Sequence, residues 1–145
     1  MVRFTRLGSL ALSAILIAAG AAPAEERPHY MKGTGQFTSA TDFESDGTAT
    51  HLGNFHEVGS VQFSPTANPA VFQIDGWAVH TAANGDQVFE LITGQVNLLT
   101  GAGTAATTYV CGTGRFVDVS GSSTISVQLL AGGAYEFTGK GTIDY

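Results

Sequence analysis

The chain has 145 residues and a formal net charge of −6, with 12 Asp and Glu against 6 Lys and Arg. So few bases cannot neutralise a row of phosphates, which argues against nucleic acid and anionic membranes as partners. Its one cysteine, Cys111, excludes an intrachain disulfide and a thiolate metal cluster.

Residues 1–24 read as a signal peptide. Arg3 and Arg6 form its charged start, Leu7 to Ala19 an apolar run too short to span a bilayer comfortably, and Ala22-Pro23-Ala24 a small-residue exit. Cleavage after Ala24 removes two bases and no acid, so the mature chain is more acidic still. This pattern predicts a periplasmic or secreted protein with no membrane span in its mature chain. Residues 25–32 read as a polar leader, extended around Pro28 and partly mobile, and residues 33–145 as a single β domain.

From Gly33 onward no stretch keeps helical periodicity, and glycine recurs inside strand-like runs as it does at barrel bends and bulges. The pattern predicts strands at 32–39, 52–63, 70–82, 86–98, 104–111, 122–130 and 134–144, with a further one around 42–50. Asp42, Glu44, Asp46 and Gly47 imitate the start of an EF-hand loop. Position twelve of that loop is Gly53 rather than a bidentate Glu, so the segment reads as an acidic surface turn. His51 and His56 fall on opposite faces of a regular strand, and His29 lies in the leader. No convergent metal set is expected among the histidines.

The hairpin of strands 70–82 and 86–98 turns at Asn84-Gly85 and is apolar on both registers. One face should line an interior and the other should meet covering loops or a neighbouring subunit, which points to a homo-oligomer. Glu90 interrupts the register of Val88, Ile92 and Val96. A two-residue turn places it across from Val79 with Trp77 nearby, and a carboxyl so surrounded can act as acid or base or orient a ligand. The bland alternative has that register facing outward and Glu90 wet. His80 carries the same ambiguity on the other face. Trp77, Glu90 and Phe116 are the candidate pocket residues, and Glu90 and His80 the candidate catalytic ones.

Tyr109 to Gly121, YVCGTGRFVDVSG, combines Gly112 and Gly114, which permit a sharp exit from a strand, with Phe116 and Val119 on one side of a short helical turn near 115–119. Phe116 is expected to fold inward and close the end of a barrel or sandwich, with Cys111 a small buried side chain at the strand end. After it, Ile125, Val127 and Leu129 oppose Thr124, Ser126 and Gln128. Tyr135, Phe137 and Ile143 oppose Glu136, Thr138 and Lys140. These are antiparallel strands wet on one side, and the fold class is all-β.

Gly112-Thr113-Gly114-x-Phe116, followed by small residues and Gly121, resembles the G-[TS]-G-x-F…G turn of allene oxide cyclase-like and dirigent-like barrels, especially their small exported bacterial members. Cys111 and Val119 stand where that family often has Ala. The resemblance implies a calycin-like antiparallel barrel of about eight strands, commonly trimeric, with a mostly apolar cavity and no cofactor. It carries no catalytic residue to this chain. The functions left open are binding of a small apolar ligand or service as an oligomeric module, cofactor-free isomerisation or cyclisation of a lipid- or phenol-like substrate, and a structural role without a cavity. From the leader pattern, the exported protein should begin near Glu25. An intact-mass measurement finding residues 1–24 attached contradicts this.

Overall fold

Alternation between apolar and polar residues is what the strands impose on their surroundings, and only a sheet with one inward face satisfies it throughout. The structure, a computed structural model, describes residues 25–145. The expected signal peptide of residues 1–24 lies outside the described residues. Eight strands follow in order: β1 (Arg27–Phe37), β2 (Asp42–Ala49), β3 (Gly53–Pro65), β4 (Val71–Ala82), β5 (Gln87–Asn97), β6 (Ala102–Gly112), β7 (Ser120–Leu129) and β8 (Ala134–Asp144). Each is antiparallel to the next, and β8 returns to pair with β1, so the sheet is a closed up-and-down barrel. Among the described residues no helix is long and apolar enough to cross a membrane.

Closure corrects the expectation of a polar leader. Arg27 pairs with Ile143 and Gln36 with Ala134, so the segment is a full strand with His29 and Met31 buried. Its partner lies at the far end of the chain, where local composition gives no sign of it. The acidic segment at Asp42 is likewise a strand rather than a turn: Asp42, Glu44 and Asp46 face water while Phe43 and Ser45 point inward.

An eight-stranded barrel leaves a lumen that side chains can just fill. Here that lumen is shaped by aromatic rings lying over glycines directly across the ladder. Phe137 faces Gly33 and Tyr135 faces Gly35. Phe55 faces Gly47 and Phe43 faces Gly59. A Cβ on any of these four glycines would collide with the ring of its partner. At the end formed by loops 38–41, 66–70, 98–101 and 130–133, Phe37 gathers Phe43, Phe63 and Tyr135 at ring separations of 6.1, 6.1 and 5.6 Å.

The opposite end is plugged. After β6 the chain makes a short 3-10 turn over Gly114–Phe116, with Gly114 at φ +57. Gly112 does not take the positive φ expected of it; it is needed because a side chain there would strike the Phe116 and Gln87 carbonyls. Thr113 exchanges bonds with Gln87, its N–H donating to the Gln87 carbonyl and its Oγ1 accepting from the Gln87 N–H, both at 2.9 Å. Phe116 is fully buried beside Val119 and Ile143, and its ring lies 4.8 Å from that of Tyr145. Arg115 covers it from outside, stacking at 4.7 Å and donating to the His51 carbonyl at 2.7 Å.

Cys111, by contrast, is exposed rather than buried. Glu90 pairs with Tyr109 but Phe89 with Cys111, so Val110 is an extra residue on β6. Such a bulge shifts the alternation by one and turns Val110 and Cys111 both outward. Phe116→Ala should cost roughly 3–5 kcal/mol, as core Phe truncations do. Chemical denaturation measures it, and an unchanged midpoint contradicts the plug.

Candidate functional site

The buried polar and charged residues among those described are His29, Ser45, Glu57, His80, Glu90, Thr107 and Ser123. Strand register brings them to one level. Ser45 pairs with Glu57 and Glu57 with His80. Glu90 pairs with Tyr109 and Thr107 with Ser123, while Ser123 and His29 both face Gly141. The result is a polar belt around the lumen, with the Phe116 plug on one side and apolar walls on the other.

At its centre is a charged cluster. His80 Nε2 lies 3.0 Å from Glu57 Oε1 and 3.4 Å from Glu90 Oε1. The Ser45 hydroxyl donates to Glu57 Oε2, and the Phe55 ring stacks on the imidazole at 4.7 Å and 6°. Burial by itself would push the His80 pKa down, but the charges of Glu90 and Glu57 and the bonds to them outweigh it and hold it up to about 10. His80 is therefore an imidazolium at neutral pH. Burial of Glu57 opposes its ionisation, yet the His80 charge, with bonds from His80 and Ser45, brings its pKa below the ordinary carboxylate value.

The rest of the belt is neutral. Tyr109 OH is 2.7 Å from Ser123 Oγ, and burial raises the pKa of the phenol. His29 meets the Tyr109 ring edge-on at 5.7 Å and stacks on His51 at 5.9 Å. Burial, reinforced by His51 and His80, lowers its pKa to about 4, and both its ring nitrogens lack a hydrogen-bond partner.

Beside the belt the lumen holds a cavity of about 100 Å³. Met31, Phe43, Val61, Ile74, Val96 and Phe137 contribute to its apolar wall, and Glu57, Glu90, Thr107 and Tyr135 supply its polar atoms. Three of these, Glu90 Oε2, Thr107 Oγ1 and Tyr135 OH, are buried without a well-formed hydrogen bond, Thr107 making only a loose approach to Tyr109 and Tyr135 one to Ser45. Buried polar atoms so poorly paired are costly and uncommon, and here three face one apolar space.

The candidates named from sequence divide accordingly. Glu90 is inside, 3% exposed, so the outward and wet reading is overturned. It lies across from Ala78 rather than Val79. The hairpin loop has three residues, closed by Ala82 N–H to the Asp86 carbonyl at 2.9 Å with Gly85 at φ +88, and this slips the register by one from a two-residue turn. His80 is on the same inner face as Glu90, not the opposite one. Trp77 is on the outer wall, 50% exposed, and leaves the list of pocket residues. Phe116 is in the plug and does not line the cavity. Glu57 was missed, although it interrupts the inward register of Phe55, Gly59 and Val61 just as Glu90 does in its own strand.

The sequence offered no convergent metal set, yet the ligand atoms of Glu57, His80 and Glu90 lie within 4.8 Å of one another. A divalent ion there must displace the His80 Nε2 proton, so at neutral pH a proton holds the position more readily than a metal. Comparison of the chain with family models, curated proteins and solved structures returns no match.

The two buried histidines set opposite pH limbs of stability. His80 is raised from 6.5 to about 10, so its contribution is complete below pH 6.5 and is lost as pH climbs to about 10. His29 is lowered from 6.5 to about 4; the unfolded chain takes up a proton that the barrel refuses, and stability is lost as pH falls across that interval. Denaturation midpoints should peak near pH 6.5, with His29→Phe flattening the acid limb above pH 4.5, where Glu57 has not yet contributed. A midpoint rising steadily to pH 10 contradicts the imidazolium assignment.

Proposed function

We propose that this chain is an exported barrel that binds a small, mostly apolar molecule in its lumen, with the molecule's polar end seated on Glu90 and Thr107. The observation that carries this reading is the apolar cavity whose wall holds buried polar atoms without well-formed hydrogen bonds, Glu90 Oε2 above all. An apolar cavity of roughly 150 Å³ holds benzene. The 100 Å³ lumen therefore admits a slender chain, or one end of a larger ligand. A structural barrel has no need of such a space. The export signal in residues 1–24 and the resemblance of the Gly112–Gly121 turn to allene oxide cyclase-like barrels favour the same assignment.

The outer wall supports association of copies of the chain. Val58 pairs with Val79 and Val79 with Phe89, and Trp77 pairs with Leu91 in the neighbouring row. Trp77 and Leu91 are about half exposed, and Val58 and Val110 nearly so. Apolar side chains contiguous on a sheet face are characteristic of interfaces.

A second reading, cofactor-free isomerisation or cyclisation, is favoured by one observation, the His80 imidazolium between two carboxyls beside the cavity. Such a set can hold and return a proton while apolar walls impose conformation. The readings separate on one experiment with an environment-sensitive apolar dye. Ala105→Phe, which fills the cavity, should abolish dye binding with the sedimentation coefficient unchanged. Leu91→Lys should lower the sedimentation coefficient and keep the dye. Wild-type dye binding that survives Ala105→Phe defeats the lumen as the site; turnover of the bound molecule favours the isomerase.

A further inference from the structure

We infer that the polar end of the ligand is a cationic ammonium, so that the lumen selects small alkyl- or arylalkylamines over alcohols and acids of the same shape. This rests on the binding reading above and specifies the chemistry of the same site.

The charge arrangement leads there. The lumen holds two carboxyl groups, Glu57 and Glu90, against one imidazolium, His80. Among the described residues no other base makes an ion pair with them, and His56, outside the lumen, acts on Glu57 only at a distance. Arg27 lies over the Tyr145 ring and Arg115 over Phe116 at the plugged end, while Lys32 and Lys140 are exposed on the outer wall. His29, the remaining buried base, is neutral because its pKa is lowered to about 4. The cluster thus contains one acidic group more than it has cations, in surroundings that make an uncompensated charge expensive.

The hydrogen-bonding arrangement agrees. Glu57 is occupied on both oxygens, by Ser45 and by His80. Glu90 turns Oε1 to His80 and leaves Oε2 without a partner, on a residue 3% exposed that lines the cavity. Thr107 Oγ1, with no more than a loose approach to Tyr109, is on the cavity wall one strand away. An ammonium brings three donors and a positive charge, which serves both oxygens and offsets the excess of acidic groups over cations in the cluster. An alcohol brings one donor and no charge. A carboxylate brings a like charge and no donor to Glu90, and is repelled. The apolar body of the amine then extends along Val61, Ile74 and Val96.

Pentylamine, pentanol and pentanoate, identical in chain length, test this by competition against the bound apolar dye at pH 7 on the exported protein. The amine should compete about tenfold more tightly than the alcohol, the scale of one charge-assisted hydrogen bond, and pentanoate should not compete. Glu90→Gln should bring amine and alcohol to within about threefold of each other, the remainder expected of an uncharged hydrogen bond. The wild-type series decides by itself should that variant not fold. Pentanol equal to or tighter than pentylamine, or pentanoate tightest, overturns the ammonium inference and leaves the apolar pocket standing. Dye that binds while none of the three competes also overturns it. Failure of the dye and of all three compounds to bind removes the lumen reading itself.

Discussion

Closure of the sheet by pairing β1 with β8 is the constraint on which the rest of the structure depends. It removes both sheet edges, which would otherwise present unpaired backbone groups to other chains. It also carries His29 and Met31 from the N-terminal segment into the lumen and brings Gly33 and Gly35 beneath Phe137 and Tyr135. Opened at that seam, the barrel would lose two of its four aromatic-over-glycine contacts, and the cavity would have no wall on that side.

A closed eight-stranded lumen is narrow, and this one is divided along its axis. At the plugged end Phe116 and Ile143 are fully buried. At the other end, Phe37, Phe43, Phe63 and Tyr135 pack at ordinary ring separations near 6 Å, and all four contribute to the cavity wall. The polar belt marks the boundary. It is a poor device for stability, since each buried ion costs several kcal/mol to desolvate and apolar replacements of buried pairs are often neutral or better. Its physical sense is chemical: it supplies fixed charge and hydrogen-bonding atoms at the foot of an apolar space, where the low dielectric strengthens whatever they engage. That asymmetry, a plug at one end and a cavity toward the other, is what the ligand-binding proposal rests on.

The bulge at Val110 shows how one residue couples the inner and outer surfaces. By inserting an extra position on β6 it keeps Tyr109 inside against Ser123 and turns both Val110 and Cys111 outward. The exposed thiol therefore borders the apolar outer wall of Trp77, Phe89 and Leu91 rather than the core. The same local irregularity thus completes the belt and extends the outer patch.

The sequence by itself determined the class of the fold, the strand order through the chain and the plug. Alternation in Ile125–Leu129 and Tyr135–Ile143, the glycine pair around Thr113 and the apolar spacing of Phe116 and Val119 are local signals, and local physics suffices to read them. It also pointed to Glu90, because an acid inside an apolar register is visible without a structure; Glu57 carries the same signal in β3 and was overlooked. What only the tertiary structure decided was which register faces inward and what meets what. A three-residue loop in place of a two-residue turn moved Glu90 from Val79 to Ala78, a one-residue slip that no composition of the strands reveals. The strand status of residues 27–32 depended on a partner more than a hundred residues away. Glu57, His80 and Glu90 come from three strands, and their meeting is a property of ladder register and barrel closure. Pairing across a closed sheet is non-local, and for that reason the site could be suspected from one of its members but assembled only from the fold.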